Sequence, residues 1–133
     1  MEIREFRVVL RAKHFDRTCR FYGESLALSR LAGWERGDAR GALFEAGTGV
    51  IEVVGRGEGS AAGCDEAFDY TGPVHEMTLT LVVPSAEKAY ETLHFRDQNI
   101  PGGLRPDPDG GLLFETHDPD GVKILLREAG GKS

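Results

Sequence analysis

Two stretches of the chain repeat the same succession of apolar and polar positions, a strand pattern followed by a helix pattern. The first stretch covers residues 6–29 and begins with the alternating segment Phe-Arg-Val-Val-Leu-Arg-Ala-Lys. Between His14 and Ser29, apolar residues then recur at helical spacings of four, three and four, at Phe15, Cys19, Tyr22 and Leu26. The pattern predicts an amphipathic helix directly after the first strand.

The second stretch covers residues 77–99. Its strand pattern, Met77–Val83, is followed by Pro84 and Ser85, which are typical of a helix start. The next apolar residues share one helix face, at Ala86, Ala89, Tyr90 and Leu93. The two stretches are offset by 71 residues, so the sequence predicts an internal repeat.

Each helix pattern is followed by short apolar segments that turn residues separate. These segments predict three strands after each helix, at Arg30–Arg36, Ala42–Ala46, Val50–Val54, Gly103–Arg105, Leu112–Thr116 and Val122–Arg127. Two of the separating turns carry Asp-Pro-Asp-Gly, at 107–110 and 118–121. The predicted fold class is therefore α+β, with two βαβββ modules in a single domain. Module one covers 1–55, a Gly- and Ala-rich linker covers 56–74, and module two covers 75–128.

Composition limits the kinds of function to consider. The chain has 133 residues, of which 40% are hydrophobic and 29% charged, a balance typical of one globular domain. No apolar run reaches the length of a membrane span, and the first residues lack a signal-peptide pattern, so we expect a cytoplasmic protein. The net charge of −6, without a basic run, argues against nucleic acid as a partner. Cys19 and Cys64 lack zinc-site spacing and are interpreted as ordinary thiols.

The chain resembles the vicinal oxygen chelate superfamily, which includes glyoxalases, bleomycin resistance proteins and dioxygenases. The resemblance covers nearly the whole chain. It depends on Arg20-Phe21-Tyr22 with Leu26 in the first helix, on the similar segment Ala89–Leu93, and on the turn Asp118–Gly121 before a final strand. It implies two modules that form a cupped, open barrel, and it implies a homodimer.

The resemblance also implies where a metal would bind. Members that use a metal hold it with one residue on the opening strand and one on the closing strand of each module, typically His and Glu. The matching positions here are Arg7, Glu52, Thr78 and Leu125. Only Glu52 is a usual ligand for a divalent metal, and a catalytic ion needs about three protein ligands. We therefore expect no metal and no other cofactor, with a divalent metal kept as the alternative.

Alternation along the strands predicts the concave face. Val8, Leu10 and Ala12 are expected to face the helix, which leaves Arg7, Val9 and Arg11 on the concave side. The predicted ligand-binding residues are Arg7, Trp34, Phe44, Glu52, Thr78 and Phe114. Arg7 and Glu52 can equally form a structural ion pair, and the three aromatic residues can equally belong to the core.

These residues leave the function open between two main hypotheses. The first is a metal-independent protein that binds a small molecule and sequesters an antibiotic-like ligand, as resistance members of the superfamily do. The alternative is a lyase or isomerase of the glyoxalase type that acts on a small carbonyl or oxyanion substrate. A third reading is a regulatory domain that binds a partner. No catalytic residue is assigned, and Glu52 and a mobile His75 are candidates for acid or base chemistry.

Overall fold

The computed structural model describes residues 1–56 and 77–128, which belong to two compact units. Unit one is Met1–Val74 and unit two is His75–Ser133. The predicted linker at 56–74 lies outside the described residues except for Arg56, the last residue of a strand. His75 and Cys64 also lie outside them.

The described part of unit one, residues 1–56, contains one short helix and four strands. The chain forms β1, helix α1, a π-helical turn (Phe21–Ser25), and then β2, β3 and β4. The bounds of the labelled elements are Arg7–Arg11 for β1, Phe15–Arg20 for α1, Arg30–Arg36 for β2, Ala39–Ala46 for β3 and Gly49–Arg56 for β4.

The first helix differs from the prediction in its second half. The α-helix ends at Arg20 and widens into the π-helical turn, in which the Leu26 amide donates to the Phe21 carbonyl at 2.9 Å. The wider turn rotates the following side chains relative to a regular helix, so that Phe21 and Tyr22 are both buried. Cys19, predicted on the buried stripe, is half-buried, and its neighbour Thr18 is fully buried instead.

Unit two repeats this plan with one helix and four strands. Its elements are β5 (Thr78–Val83), α2 (Ala86–Phe95), β6 (Arg105–Pro106), β7 (Leu112–His117) and β8 (Lys123–Glu128). The predicted helix start is confirmed, because the Ser85 hydroxyl accepts a hydrogen bond from the Lys88 amide at 3.2 Å. No helix among the described residues is both long and apolar enough to cross a membrane.

The two units share one strand order. Unit one has the order β1-β4-β3-β2, and unit two has the matching order β5-β8-β7-β6. In each, the opening strand runs parallel to the closing strand, and the remaining pairs are antiparallel. The predicted α+β class and the repeat of a βαβββ unit are confirmed. Strand β6 begins at Arg105, two residues after the predicted start at Gly103. Gly102 and Gly103 adopt positive φ angles, which are incompatible with a strand and place these residues in a turn.

The core of each unit lies between its helix and one face of its sheet. In unit one the buried strand residues include Leu10, Ile51 and Val53, and in unit two they include Ile124 and Leu126. The intervening residues on the same strands face the other way, as alternation predicts. We call that second face, opposite the helix, the open face of each sheet.

The two Asp-Pro-Asp-Gly turns of unit two have the same hydrogen bonds. Asp107 accepts a hydrogen bond on its side chain from the Asp109 amide, and Asp118 accepts one from the Asp120 amide, both at 2.9 Å. Gly110 and Gly121 adopt positive φ angles that suit glycine and donate back to the carbonyls of Asp107 and Asp118.

Replacement of Phe114 by alanine should strongly destabilise unit two. Phe114 is fully buried and makes an edge-to-face contact with Tyr90 at 5.6 Å between ring centres. Because the vacated space cannot close completely, Phe114→Ala should lower the free energy of unfolding by about 3–5 kcal/mol in urea denaturation. The matched control is Phe95→Ala, since Phe95 is 87% exposed and should change stability by less than about 0.5 kcal/mol. Equal losses from both variants would contradict the placement of the core.

Asp107 should make stability depend on acid pH. The hydrogen bond from the Asp109 amide, followed by the Arg127 guanidinium, lowers the pKa of Asp107 below its ordinary value. A lowered folded-state pKa adds stability above about pH 4 and loses it as pH falls further. The stability difference between wild type and Asp107→Asn in urea should therefore be largest above about pH 4 and shrink toward pH 2.5. Asp97→Asn, which removes an exposed carboxylate of the same unit, is the matched control.

Candidate functional site

The open face of unit one brings together an arginine and a glutamate. Register places Val9 of β1 opposite Glu52 of β4, so Arg7 lies two residues along β1 on the same face. The Arg7 Nη1 donates to Glu52 Oε1 at 3.1 Å. The Glu52 side chain is 11% exposed, whereas that of Arg7 is 37% exposed. The predicted pairing of these two residues is therefore present in the structure.

A tryptophan holds the second oxygen of the same carboxylate. Trp34 of β2 lies across Gly41 of β3, and its Nε1 donates to Glu52 Oε2 at 2.8 Å. A side chain at position 41 would overlap the indole, so glycine is required there for Trp34 to reach β4. Glu52 thus accepts one hydrogen bond on each oxygen, one from a cation and one from an indole.

Arg7 also binds a second carboxylate. Its Nη2 lies 2.7 Å from Glu5 Oε1, and its Nε donates to the same oxygen at 3.1 Å. The hydrogen bonds to Glu5 and then to Glu52 raise the pKa of Arg7 above its ordinary value. Arg7 is consequently a permanent cation that bridges two acids.

Trp34 provides the aromatic surface beside this cluster. One side of its indole rests on Gly41, and the Arg36 guanidinium lies 5.5 Å from its ring centre. A cavity of about 270 Å³ lies at the β2–β3 edge, lined by Phe15, Arg30, Gly33, Trp34, Glu35, Arg40 and Gly41. The register places Gly33, Glu35 and Arg40 on the helix-covered face, so this cavity lies opposite the indole of Trp34. Trp34 is half-buried, so part of its surface is available to a ligand.

The other two predicted aromatic residues lie in the cores instead. Phe44 is 2% exposed and packs against Tyr22, on the face opposite Glu52. Phe114 is buried against Tyr90 in unit two. The core interpretation fits both residues, because each lies on the strand face that the helix covers.

Unit two presents different chemistry at the corresponding positions. Register aligns Thr78 with Lys123 and Thr80 with Leu125 on the open face, and Thr78 and Thr80 are exposed. The same face carries Glu115 of β7, which lies opposite Leu125. The Glu115 Oε1 lies 3.2 Å from the Nη2 of Arg105. Sequence reasoning missed Glu115, although alternation along Leu112–Thr116 would have placed it on this face.

The donor set does not fit the metal that the fold family implies. Among residues 1–56 and 77–128, no group of three or more His, Cys, Asp or Glu side chains is placed to hold a metal ion. Arg7 offers a cation and Leu125 offers no donor atom, and both oxygens of Glu52 already accept hydrogen bonds. In unit two, the matching position Thr78 offers only a neutral hydroxyl, and in unit one the single carboxylate is already neutralised by Arg7.

Burial disfavours the thiolate form of Cys19. Burial raises its pKa to about 11, with the nearby guanidinium groups of Arg30 and Arg40 acting in the opposite direction. The thiolate is the reactive form, and it is scarce at this pKa. Cys19 is a free cysteine in the structure.

Comparisons with known proteins agree with the two-unit plan. The family model of the glyoxalase/bleomycin resistance protein/dioxygenase superfamily matches residues 6–126. No curated protein matches the chain at a significant level.

Solved structures give the same result for the fold. SMU.1112c has a TM-score of 0.78 at 19% identity, with 92% of this chain and 96% of that chain covered. Trypanothione-dependent glyoxalase I of Leishmania major has a TM-score of 0.72 at 18% identity, with 96% of this chain and 87% of that chain covered. TioX from Micromonospora sp. ML1 has a TM-score of 0.72 at 18% identity, with 93% of this chain and 97% of that chain covered. At these identities the likeness shows the fold alone.

A side chain at position 41 should release the tryptophan from Glu52. Gly41→Ala places a Cβ against the indole, so Trp34 must move and its hydrogen bond to Glu52 is lost. Since Trp34 is the single tryptophan of the chain, its fluorescence should shift to longer wavelength, and stability should fall by about 1–2 kcal/mol. Gly33→Ala is the matched control, because its Cβ overlaps only the flexible end of Arg30 and makes an ordinary contact with the Gly41 carbonyl. An unchanged spectrum in Gly41→Ala would refute this geometry.

Proposed function

The chain belongs to the glyoxalase/bleomycin resistance protein/dioxygenase superfamily, and we propose that it is a metal-independent protein that binds a small molecule. The observation that carries this proposal is the state of Glu52, whose two oxygens accept hydrogen bonds from Arg7 and Trp34. The carboxylate at the expected metal-ligand position is instead hydrogen-bonded to the Arg7 guanidinium and the Trp34 indole.

Ligand chemistry supports a site without metal. Guanidinium and carboxylate form a favourable charge-assisted hydrogen bond, and a dication approaching Glu52 would be repelled by Arg7. The positions that match in unit two, Thr78 and Leu125, add no strong ligand. An ion bound at these positions would have to displace both Arg7 and Trp34 from Glu52.

The proposed ligand has a planar part that contacts Trp34. Indole rings offer a large, rigid stacking surface, and Trp34 is only half-buried, so part of that surface is available to a ligand. Arg36 and Arg7 supply cationic groups near the ring and the carboxylate. These features suit an antibiotic-like molecule with a planar ring and polar substituents, which the protein would sequester.

The glyoxalase-type lyase or isomerase remains the alternative that experiment can distinguish. Glu52 is its candidate acid or base, but a base must accept a proton from substrate, and both of its oxygens are already engaged. Binding that saturates without chemical change of the ligand supports sequestration. Turnover of a small carbonyl or oxyanion substrate that stops on mutation of Glu52 would favour the enzyme.

We also propose a homodimer in the cytoplasm, on the strength of the family resemblance. Sedimentation velocity of the full chain tests the first part. A single species of about twice the 14.5 kDa chain mass is expected. A species of monomer mass at micromolar concentration would contradict the dimer without affecting the binding site of unit one.

Metal content tests the proposed function directly. After dialysis, elemental analysis should find no stoichiometric zinc, nickel, iron or manganese in the wild type or in Glu52→Gln. The amide cannot accept from both Arg7 and Trp34 without presenting its own donor to one of them, so stability should fall by about 1–2 kcal/mol.

The matched control is Glu45→Gln, which changes an exposed carboxylate on the same open face and should alter neither metal content nor stability. Stoichiometric metal that is lost on mutation of Glu52 would overturn the metal-independent function. It would also favour the lyase or isomerase.

A further inference from the structure

The open face of unit two carries three hydrogen-bonding side chains in one row. Register pairs Thr78 of β5 with Lys123 of β8, and Lys123 with His117 of β7. Neighbouring strands lie about 4.8 Å apart, so a hydroxyl, an ammonium and an imidazole stand side by side. All three residues are exposed. We call them the Lys123 row.

The ammonium of Lys123 keeps its hydrogen-bond donors available. Its nearest described carboxylate oxygen is Glu115 Oε1 at 3.8 Å, beyond ordinary hydrogen-bond distance. That oxygen already accepts from Arg105 at 3.2 Å. Arg105 and Lys123 therefore share the one carboxylate of Glu115, which leaves donors of Lys123 available on the open face.

A rigid turn fixes two members of the row relative to each other. His117 ends β7 and Lys123 begins β8, and the turn between them is built on the buried Asp118. The Asp118 side chain accepts hydrogen bonds from the amides of Asp120 and Val122, both at 2.9 Å. The Asp118 amide donates to the Val122 carbonyl at 3.0 Å, which closes the turn. Little backbone ordering would be needed on binding.

We propose that the Lys123 row binds an oxyanion, the carboxylate or phosphate group of a small molecule. Lysine offers three donors and a full positive charge, while the Thr78 hydroxyl and the His117 imidazole offer further hydrogen-bond donors on either side. Together they match the several acceptor oxygens of an oxyanion. The site belongs to unit two alone. It goes beyond the function proposed above, since it assigns a ligand chemistry that does not depend on Glu52 or on metal content.

Titration with inorganic phosphate tests the site in the full-length protein. At fixed pH and ionic strength, with chloride replaced by phosphate, the NMR resonances of Thr78, His117 and Lys123 should shift with one common dissociation constant. Lys123→Gln should weaken phosphate binding about tenfold, because a charge-assisted hydrogen bond is lost. Thr78→Val, which keeps the side-chain shape, should weaken it about threefold.

Lys88→Gln is the matched control. It removes the same charge from an exposed helix position of unit two and should leave phosphate affinity unchanged. Equal weakening by Lys88→Gln and Lys123→Gln would reveal general charge attraction and overturn the site. Shifts that avoid the Lys123 row would also overturn it.

A parallel titration with acetate distinguishes the two oxyanion classes. Shifts with acetate alone assign a carboxylate group, and shifts with phosphate alone assign a phosphate group; either result supports the site. The two proposals also fail separately. Stoichiometric metal in a protein whose Lys123 row binds phosphate would overturn the metal-independent function alone. A metal-free protein without phosphate shifts would overturn the oxyanion site alone.

Discussion

A carboxylate on a half-covered sheet face is unfavourable unless it is neutralised, and Glu52 imposes this requirement on unit one. The parallel register of β1 and β4 brings Arg7 to one of its oxygens, and the indole of Trp34 reaches the other across Gly41. Strands β1, β2 and β3 therefore each contribute a residue to the surroundings of this one carboxylate on β4. The aromatic surface of the candidate site is held in place by the same hydrogen bond that satisfies the acid.

Gly41 shows how local backbone choices serve this arrangement. A glycine within a strand costs stability, because it gains no side-chain packing and loses more backbone entropy on folding. Because position 41 has no side chain, the indole of Trp34 can lie directly across the backbone of β3. The indole surface on the open face thus depends on one missing side chain.

Alternation and spacing predict much of this structure from the sequence. They give the repeat, the α+β class and the open-face positions of Arg7 and Glu52, because period-two facing is a property of any strand. They do not give the hydrogen bond from Trp34, which depends on how β2 and β3 align and on the reach of a side chain across a neighbouring strand. The π-helical turn at Phe21–Ser25 was equally hidden, since a single widened turn leaves no periodic pattern. Whether the open faces of the two units meet, as the family resemblance implies, stays a prediction.

The repeat explains why the two units can differ in chemistry while they keep the same fold. Ile51 and Val53 face the core of unit one, and the matching Ile124 and Leu126 face the core of unit two, so apolar character is retained on that side of the closing strands. Packing places no such demand on the open faces. There, Glu52 corresponds to Leu125, and the acceptor of unit one is replaced by the hydroxyl, imidazole and ammonium donors around Lys123. In unit one both oxygens of Glu52 accept hydrogen bonds, and in unit two the corresponding position is Leu125, so neither open face presents a free carboxylate at the position where the resemblance implies a metal ligand.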